Sequence, residues 1–95
     1  MLMVKPMMKV KYSKEFIKHF NKAPAKIRLA FVNRLELFEQ DPFNPVLNNH
    51  ALLGKYADTR SINTTGDWRA IFRLFDDYEA VSFETIGTHS QLYKK

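Results

Sequence analysis

The sequence predicts an α+β domain in which a helical hairpin covers one face of a meander of strands. Three observations carry that expectation. Two amphipathic stretches with helical periodicity lie in the first forty residues, a segment with two prolines follows, and alternating strand-like runs separated by turn residues fill the rest. The 95 residues, 45% of them hydrophobic, suit a single domain over 1–95 with a modest core.

Taken in order, Met1-Leu2-Met3-Val4-Lys5-Pro6-Met7-Met8 is mildly apolar, but Lys5 and Pro6 interrupt it before a signal-peptide core of roughly 7 to 15 apolar residues forms. Residues 1–6 are read as a loose N-terminus, and Met7 or Met8 can serve as the functional start. Lys9-Val10-Lys11-Tyr12 alternates polar and apolar residues, as a short strand does, and Ser13 then offers a helix N-cap with Glu15 in the first turn. Phe16, Ile17 and Phe20 form one apolar stripe that ends at Asn21-Lys22-Ala23-Pro24. Pro24 suits the first turn of a second helix, where its missing N–H costs nothing. From Ala25 to Gln40, Ile27, Phe31, Leu35 and Phe38 recur at spacings of four, four and three, the period of one helix face.

Asp41-Pro42-Phe43-Asn44-Pro45 stops that helix, because the residue before each proline is pushed out of helical dihedrals. A loop is expected through Asn48-Asn49-His50 to Gly54. Strands are expected at Thr59 to Thr64 and Trp68 to Phe75, joined around Thr65-Gly66-Asp67, and a third at Ala80 to Ile86 after a turn at Asp76-Asp77. Alternation puts Trp68, Ala70, Phe72 and Leu74 on one face of the second strand and Arg69, Ile71, Arg73 and Phe75 on the other.

Composition excludes several function classes. There is no cysteine, so disulfide scaffolds, thiolate zinc sites and cysteine nucleophiles are ruled out, and the cytoplasm is the default location. No apolar run approaches the roughly 20 residues of a membrane helix. The net charge of +5 favours polyanionic partners, and it is unevenly placed: residues 1–40 carry nine Lys and Arg against three Glu, whereas residues 41–95 carry six against seven Asp and Glu. Three scattered glycines make no phosphate-cradling loop, and His19, His50 and His89 lack ligand spacing, so neither a nucleotide cofactor nor a metal is expected.

What remains is His50 in a loop, Asp67 at a strand start, Arg60 and Arg73 within strands, and His89 after the last strand. A histidine pair can act as base and acid in one displacement, nearby arginines can hold a phosphate, and RNA supplies its own 2′-OH nucleophile. Trp68 and Tyr93 offer flat surfaces for an unstacked base. Each residue also has a plainer reading: loop histidines are ordinarily solvated, Trp68 shares the core face, Arg69 and Arg73 can pair with Glu84 or Asp76 across the sheet, and Asp67 can simply shape the turn.

The stretches Asn49-His50-Ala51-Leu52-Leu53-Gly54, Thr59-Arg60-Ser61-Ile62, Gly66-Asp67-Trp68-Arg69-Ala70-Ile71-Phe72 and Ile86-Gly87-Thr88-His89-Ser90-Gln91-Leu92-Tyr93 together resemble the RelE/ParE toxin superfamily, within it the YafQ-like branch. The resemblance spans roughly residues 7–95. It implies a RelE-like fold: an N-terminal strand and helical hairpin on an antiparallel sheet, in the order β-α-α-β-β-β with a short C-terminal helix. It also implies a metal-independent endoribonuclease that cleaves mRNA on the ribosome and is silenced by a cognate antitoxin, touching operator DNA only through the antitoxin complex. His50, Asp67 and His89 fall at the acid–base positions, with His89 expected to protonate the leaving 5′-oxygen and His50, assisted by Asp67, to handle the 2′-OH. Lys55, Arg60, Trp68, Arg69, Arg73 and Tyr93 are the expected RNA-binding residues. The chain departs from the pattern at Asn63, where the branch has a histidine, and at Thr85, where it has an arginine; Arg69 or Lys55 is the expected replacement. The alternatives are a non-enzymatic protein on the same fold, either a gyrase inhibitor of the ParE kind or an inactive antitoxin-binding module, and a plain basic RNA-binding module.

Overall fold

The structure, a computed structural model, describes residues 8–93; the expected loose N-terminus at 1–6 lies outside them. Strand β1 (Lys9–Tyr12) gives way to helix α1 (Lys14–Lys22) at Ser13. The Ser13 hydroxyl oxygen accepts the Phe16 N–H, as an N-cap should, and the hydroxyl donates to the Glu84 carbonyl at 2.6 Å. The cap thus also pins the start of α1 to a distant strand.

Helix α2 (Ala25–Gln40) follows after Ala23 and Pro24. Pro24 sits at the cap rather than inside the first turn, and its carbonyl accepts from Ile27 and Arg28. The chain then makes a 3₁₀ turn at Pro45–Leu47, a two-residue strand β2 (His50–Ala51), and a second 3₁₀ turn at Gly54–Tyr56. Strands β3 (Arg60–Thr65), β4 (Trp68–Phe75) and β5 (Ala80–Thr88) form the meander, and a single-turn helix α3 (His89–Leu92) closes it.

The sheet has five strands in the order β1-β5-β4-β3-β2. The meander and β2 are antiparallel, whereas β1 adds to β5 in parallel, so the sheet is mixed. Helices α1 and α2 pack on it through an aromatic core. Phe16, Phe31, Phe38, Phe72 and Phe83 are all buried, with Phe31 edge-on to Phe83 at 5.2 Å and Phe38 edge-on to Phe72 at 4.9 Å. Ala70 and Phe72 are fully buried in that core, and Trp68 and Leu74 pack against it, as alternation required.

Two bulges tie helices to sheet. Pairing steps from Ile71↔Thr85 to Phe72↔Phe83, which leaves Glu84 as an extra residue, and from Asn63↔Arg69 to Thr65↔Trp68, which leaves Thr64. A bulged residue has a carbonyl outside the ladder. The Glu84 carbonyl takes the Ser13 hydroxyl, and the Thr64 carbonyl takes Arg34 Nε of α2 at 3.0 Å.

Candidate active site

His50 reaches the site on a segment that hydrogen bonds fix from several sides. Asn44 caps the first 3₁₀ turn by accepting from Val46 N–H, and Asn48 leaves it in the left-handed conformation with φ 46°. The Asn49 side chain then acts as a three-way clamp. Its Nδ2 donates to the Pro42 carbonyl at 3.0 Å and to the Tyr78 hydroxyl at 3.1 Å, while its Oδ1 accepts from Arg60 Nε at 2.7 Å. The next residue is His50, paired with Ser61 on the sheet edge. Its Nδ1 lies 2.7 Å from the Asn48 carbonyl, which can only accept, so Nδ1 carries the proton and Nε2 of the neutral ring is left as a proton acceptor.

His89 arrives from the end of β5, three strands along the sheet from β2. Strand β5 runs two residues beyond the expected Ile86, to Thr88, whose hydroxyl accepts the Gln91 N–H while the Gln91 side chain accepts the Thr88 N–H, a reciprocal capping box. The His89 N–H donates to the Asp67 carbonyl at 2.8 Å, which fastens the start of α3 to the β3–β4 turn. Gly87 is needed for this closure: a Cβ there would stand 3.3 Å from Leu92 Cγ and Cδ2 and 3.2 Å from Gln91 Oε1. The His89 ring rests 4.7 Å from that of Tyr93.

The two exposed imidazoles line one open cleft of about 330 Å³, together with Asn48, Leu52, Arg69 and Tyr93. Arg69 stands on β4 opposite Gly87, and its Nη1 donates to the Gly66 and Trp68 carbonyls, so the guanidinium has donors left for a ligand. The sequence-based set thereby separates into groups. His50, His89, Arg69 and Tyr93 share the cleft. Lys55 and Trp68 line an adjacent cavity of about 440 Å³ instead. The Asp67 carboxylate is hydrogen-bonded to neither imidazole, and the partner expected of it at His50 is taken by the Asn48 carbonyl.

Arg60 and Arg73 do not face the cleft. Arg60 is held by Asn49 and lies over the Phe43 ring at 5.5 Å, and Arg73 is paired with Glu84 at 3.3 Å, one of the cross-sheet partners expected for it. Thr85 is buried with its hydroxyl 3.1 Å from His19 Nδ1, and Asn63 Oδ1 is buried without a partner among the described residues. Of the two expected replacements for the missing arginine, Arg69 is inside the cleft and Lys55 is beside it. Residue-type reasoning overlooked Asn48 and Asn49, whose only signal was their position directly before His50.

Among the described residues no three His, Asp or Glu side chains gather as a metal-binding group, and no helix is long and apolar enough to cross a membrane. The sequence model described as bacterial toxin of type II toxin-antitoxin system, YafQ, matches residues 8–94. No curated protein matches in sequence. Among solved structures, YafQ from E. coli aligns with a TM-score of 0.71 at 24% identity, covering 90% of this chain and 98% of that one. The toxin of the E. coli DinJ-YafQ toxin-antitoxin complex aligns with a TM-score of 0.69 at 25% identity over 92% of this chain and 98% of its own. The toxin-antitoxin complex RelBE2 from Mycobacterium tuberculosis gives a TM-score of 0.64 at 20% identity, with 87% and 99% covered. By the match of its family model over all of the described residues, the protein belongs to the YafQ family of bacterial type II toxin-antitoxin toxins.

Proposed function

We propose that this toxin is an endoribonuclease that cuts single-stranded mRNA, on the ribosome, by using the RNA's own 2′-OH as nucleophile. The observation that carries the reading is the meeting of His50 and His89 in one open cleft with Arg69 and Tyr93. In the proposed step, His50 Nε2 takes the proton of the 2′-OH as its oxygen attacks phosphorus. The P–O5′ bond breaks as protonated His89 gives its proton to the departing 5′-oxygen. The products are a 2′,3′-cyclic phosphate and a 5′-hydroxyl end, and no atom is left unaccounted for. Arg69 faces the non-bridging oxygens, where a fixed donor strengthens its hold as negative charge builds. Tyr93 gives a base a ring on which to rest.

The relative in the DinJ-YafQ structure is seen with its antitoxin, and we infer that a cognate antitoxin binds this chain as well. The cytoplasm is the compartment in which both partners and the message would meet.

The direct test is to map RNA ends after brief expression of the toxin. New 5′-hydroxyl ends within messages support the reading. Growth arrest with intact messages and induced DNA damage contradicts it and points to gyrase; no arrest at all points to an inactive antitoxin-binding protein.

A further inference from the structure

The adjacent cavity of about 440 Å³ lies between α1, the second 3₁₀ turn, β4, β5 and α3. Buried Ile86 and Leu92 line it with Trp68, and so do buried Thr85 and the His19 ring whose Nδ1 meets the Thr85 hydroxyl at 3.1 Å. The rim carries exposed Lys22 and Lys55 against one carboxylate, Glu15. Tyr56 lines it too and touches Tyr93 of the imidazole cleft edge-on at 5.9 Å. Helix α3 divides the two spaces: His89 and Tyr93 face the cleft, and Gln91 and Leu92 face the cavity. Gln91 Oε1 is engaged by the Thr88 N–H, which leaves its amide N–H groups as donors.

A slot of mixed lining, with the rings of Trp68 and Tyr56, the polar groups of His19, Thr85 and Gln91, and two ammonium groups, matches the chemistry of a nucleotide: a flat base, hydrogen-bonding edges and a phosphate. We propose that this cavity takes one nucleotide of single-stranded RNA next to the scissile phosphate, with its base against Trp68 and its phosphate between Lys22 and Lys55. The placement rests on the ribonuclease reading. It gives Lys22, which no motif singled out, a role in holding the substrate. It also moves Lys55 from the scissile phosphate to its neighbour and keeps Trp68 as a surface for a base.

Trp68 is the only tryptophan in the chain, so its emission reports on this cavity. The experiment titrates the full chain with a short 2′-O-methyl RNA of mixed sequence, which cannot be cut because the nucleophile is blocked. Saturable quenching of Trp68 is expected. Lys22→Gln together with Lys55→Gln should weaken binding about tenfold or more and flatten the log–log salt dependence by about 0.7, the value for the one phosphate contact that both lysines share on a single strand. Lys14→Gln with Lys18→Gln removes the same charge from α1 outside the cavity and should change binding far less.

Equal weakening by the two double variants would overturn the site in favour of a diffuse basic field. Adenosine monophosphate is expected to quench only at much higher concentration than the oligonucleotide, and quenching at the same concentration would make this a free-nucleotide site and overturn the assignment. A chain that binds the probe through Trp68 but cuts no RNA refutes the nuclease reading alone. One that cuts RNA without any Trp68 response refutes the cavity alone.

Discussion

Arg60 Nε donates to the side-chain oxygen of Asn49 at 2.7 Å, so an arginine that resembles a phosphate ligand in the sequence instead fixes the residue preceding His50. Removing Arg60 strands Asn49 Oδ1, whereas removing Asn49 strands Arg60 Nε together with the Pro42 carbonyl and the Tyr78 hydroxyl that Asn49 Nδ2 serves. Asn49→Ala is therefore expected to cost about 1–3 kcal/mol of stability. Arg60→Gln should lower kcat for RNA cleavage while leaving KM nearly unchanged, because it displaces the base rather than the bound substrate. Thermal unfolding and steady-state cleavage check the pair, and a pure KM effect for Arg60→Gln would argue for direct RNA contact.

The two arginines of β4 are expected to behave oppositely. Among the described residues Arg69 is the one guanidinium that lines the cleft, and Arg69→Ala should cost about 3 kcal/mol of transition-state stabilisation, or roughly a hundredfold in kcat/KM. Arg73→Ala loses a solvent-screened pair with Glu84 and should shift both activity and stability by no more than about 0.5 kcal/mol. Cleavage rates of the two variants on one RNA decide it.

Gly87→Ala tests the close approach of α3. Leu92 is buried and the Gln91 side chain is committed to the capping box, so neither yields freely to the added methyl. The substitution should destabilise the fold by about 1 kcal/mol. It should also reduce cleavage by more than that loss explains, because α3 carries His89 and leads directly into Tyr93. Wild-type activity in a normally folded Gly87→Ala variant would show that α3 has slack.

Away from the site, burial and, secondarily, the Glu39 carboxylate raise the Tyr12 hydroxyl above its ordinary value of 10.0. Between the unfolded and folded values, the unfolded chain has released the proton while the folded chain still holds it. Stability contributed at lower pH is therefore lost as pH rises through that window. Tyr12→Phe keeps the ring contacts with Phe16 at 5.2 Å and Phe83 at 6.0 Å, so it should unfold with a shallower alkaline decline than the wild type. Denaturant titrations at neutral and alkaline pH provide the comparison.

Much of this architecture was legible in the residues. The Phe31-Leu35-Phe38 spacing, the Ser13 cap and the alternation of β4 are local signals, and each appears where its period places it. Strand β2 was hidden because two residues carry no alternation, and it exists only as the partner of Arg60 and Ser61. The parallel docking of β1 on β5 is likewise a long-range choice that no local pattern encodes. For the site, motif order brought His50 and His89 forward, but residue type could not tell Arg69, which has donors to spare, from Arg60 and Arg73, whose partners emerge only from strand register and bulges.

If His50 and His89 act as base and acid on one phosphodiester, a substrate with sulfur in place of the bridging 5′-oxygen separates the two roles. A thiolate leaves without needing a proton. On ordinary RNA, His50→Ala and His89→Ala should each lose about 10²–10⁴-fold in single-turnover rate. Both variants should fold normally, since both side chains are exposed. On the thio substrate, His89→Ala is expected to recover to near the wild-type rate while His50→Ala stays slow. Wild-type cleavage of ordinary RNA by both variants, or no rescue of His89→Ala by sulfur, would exclude this division of proton transfers between the two imidazoles.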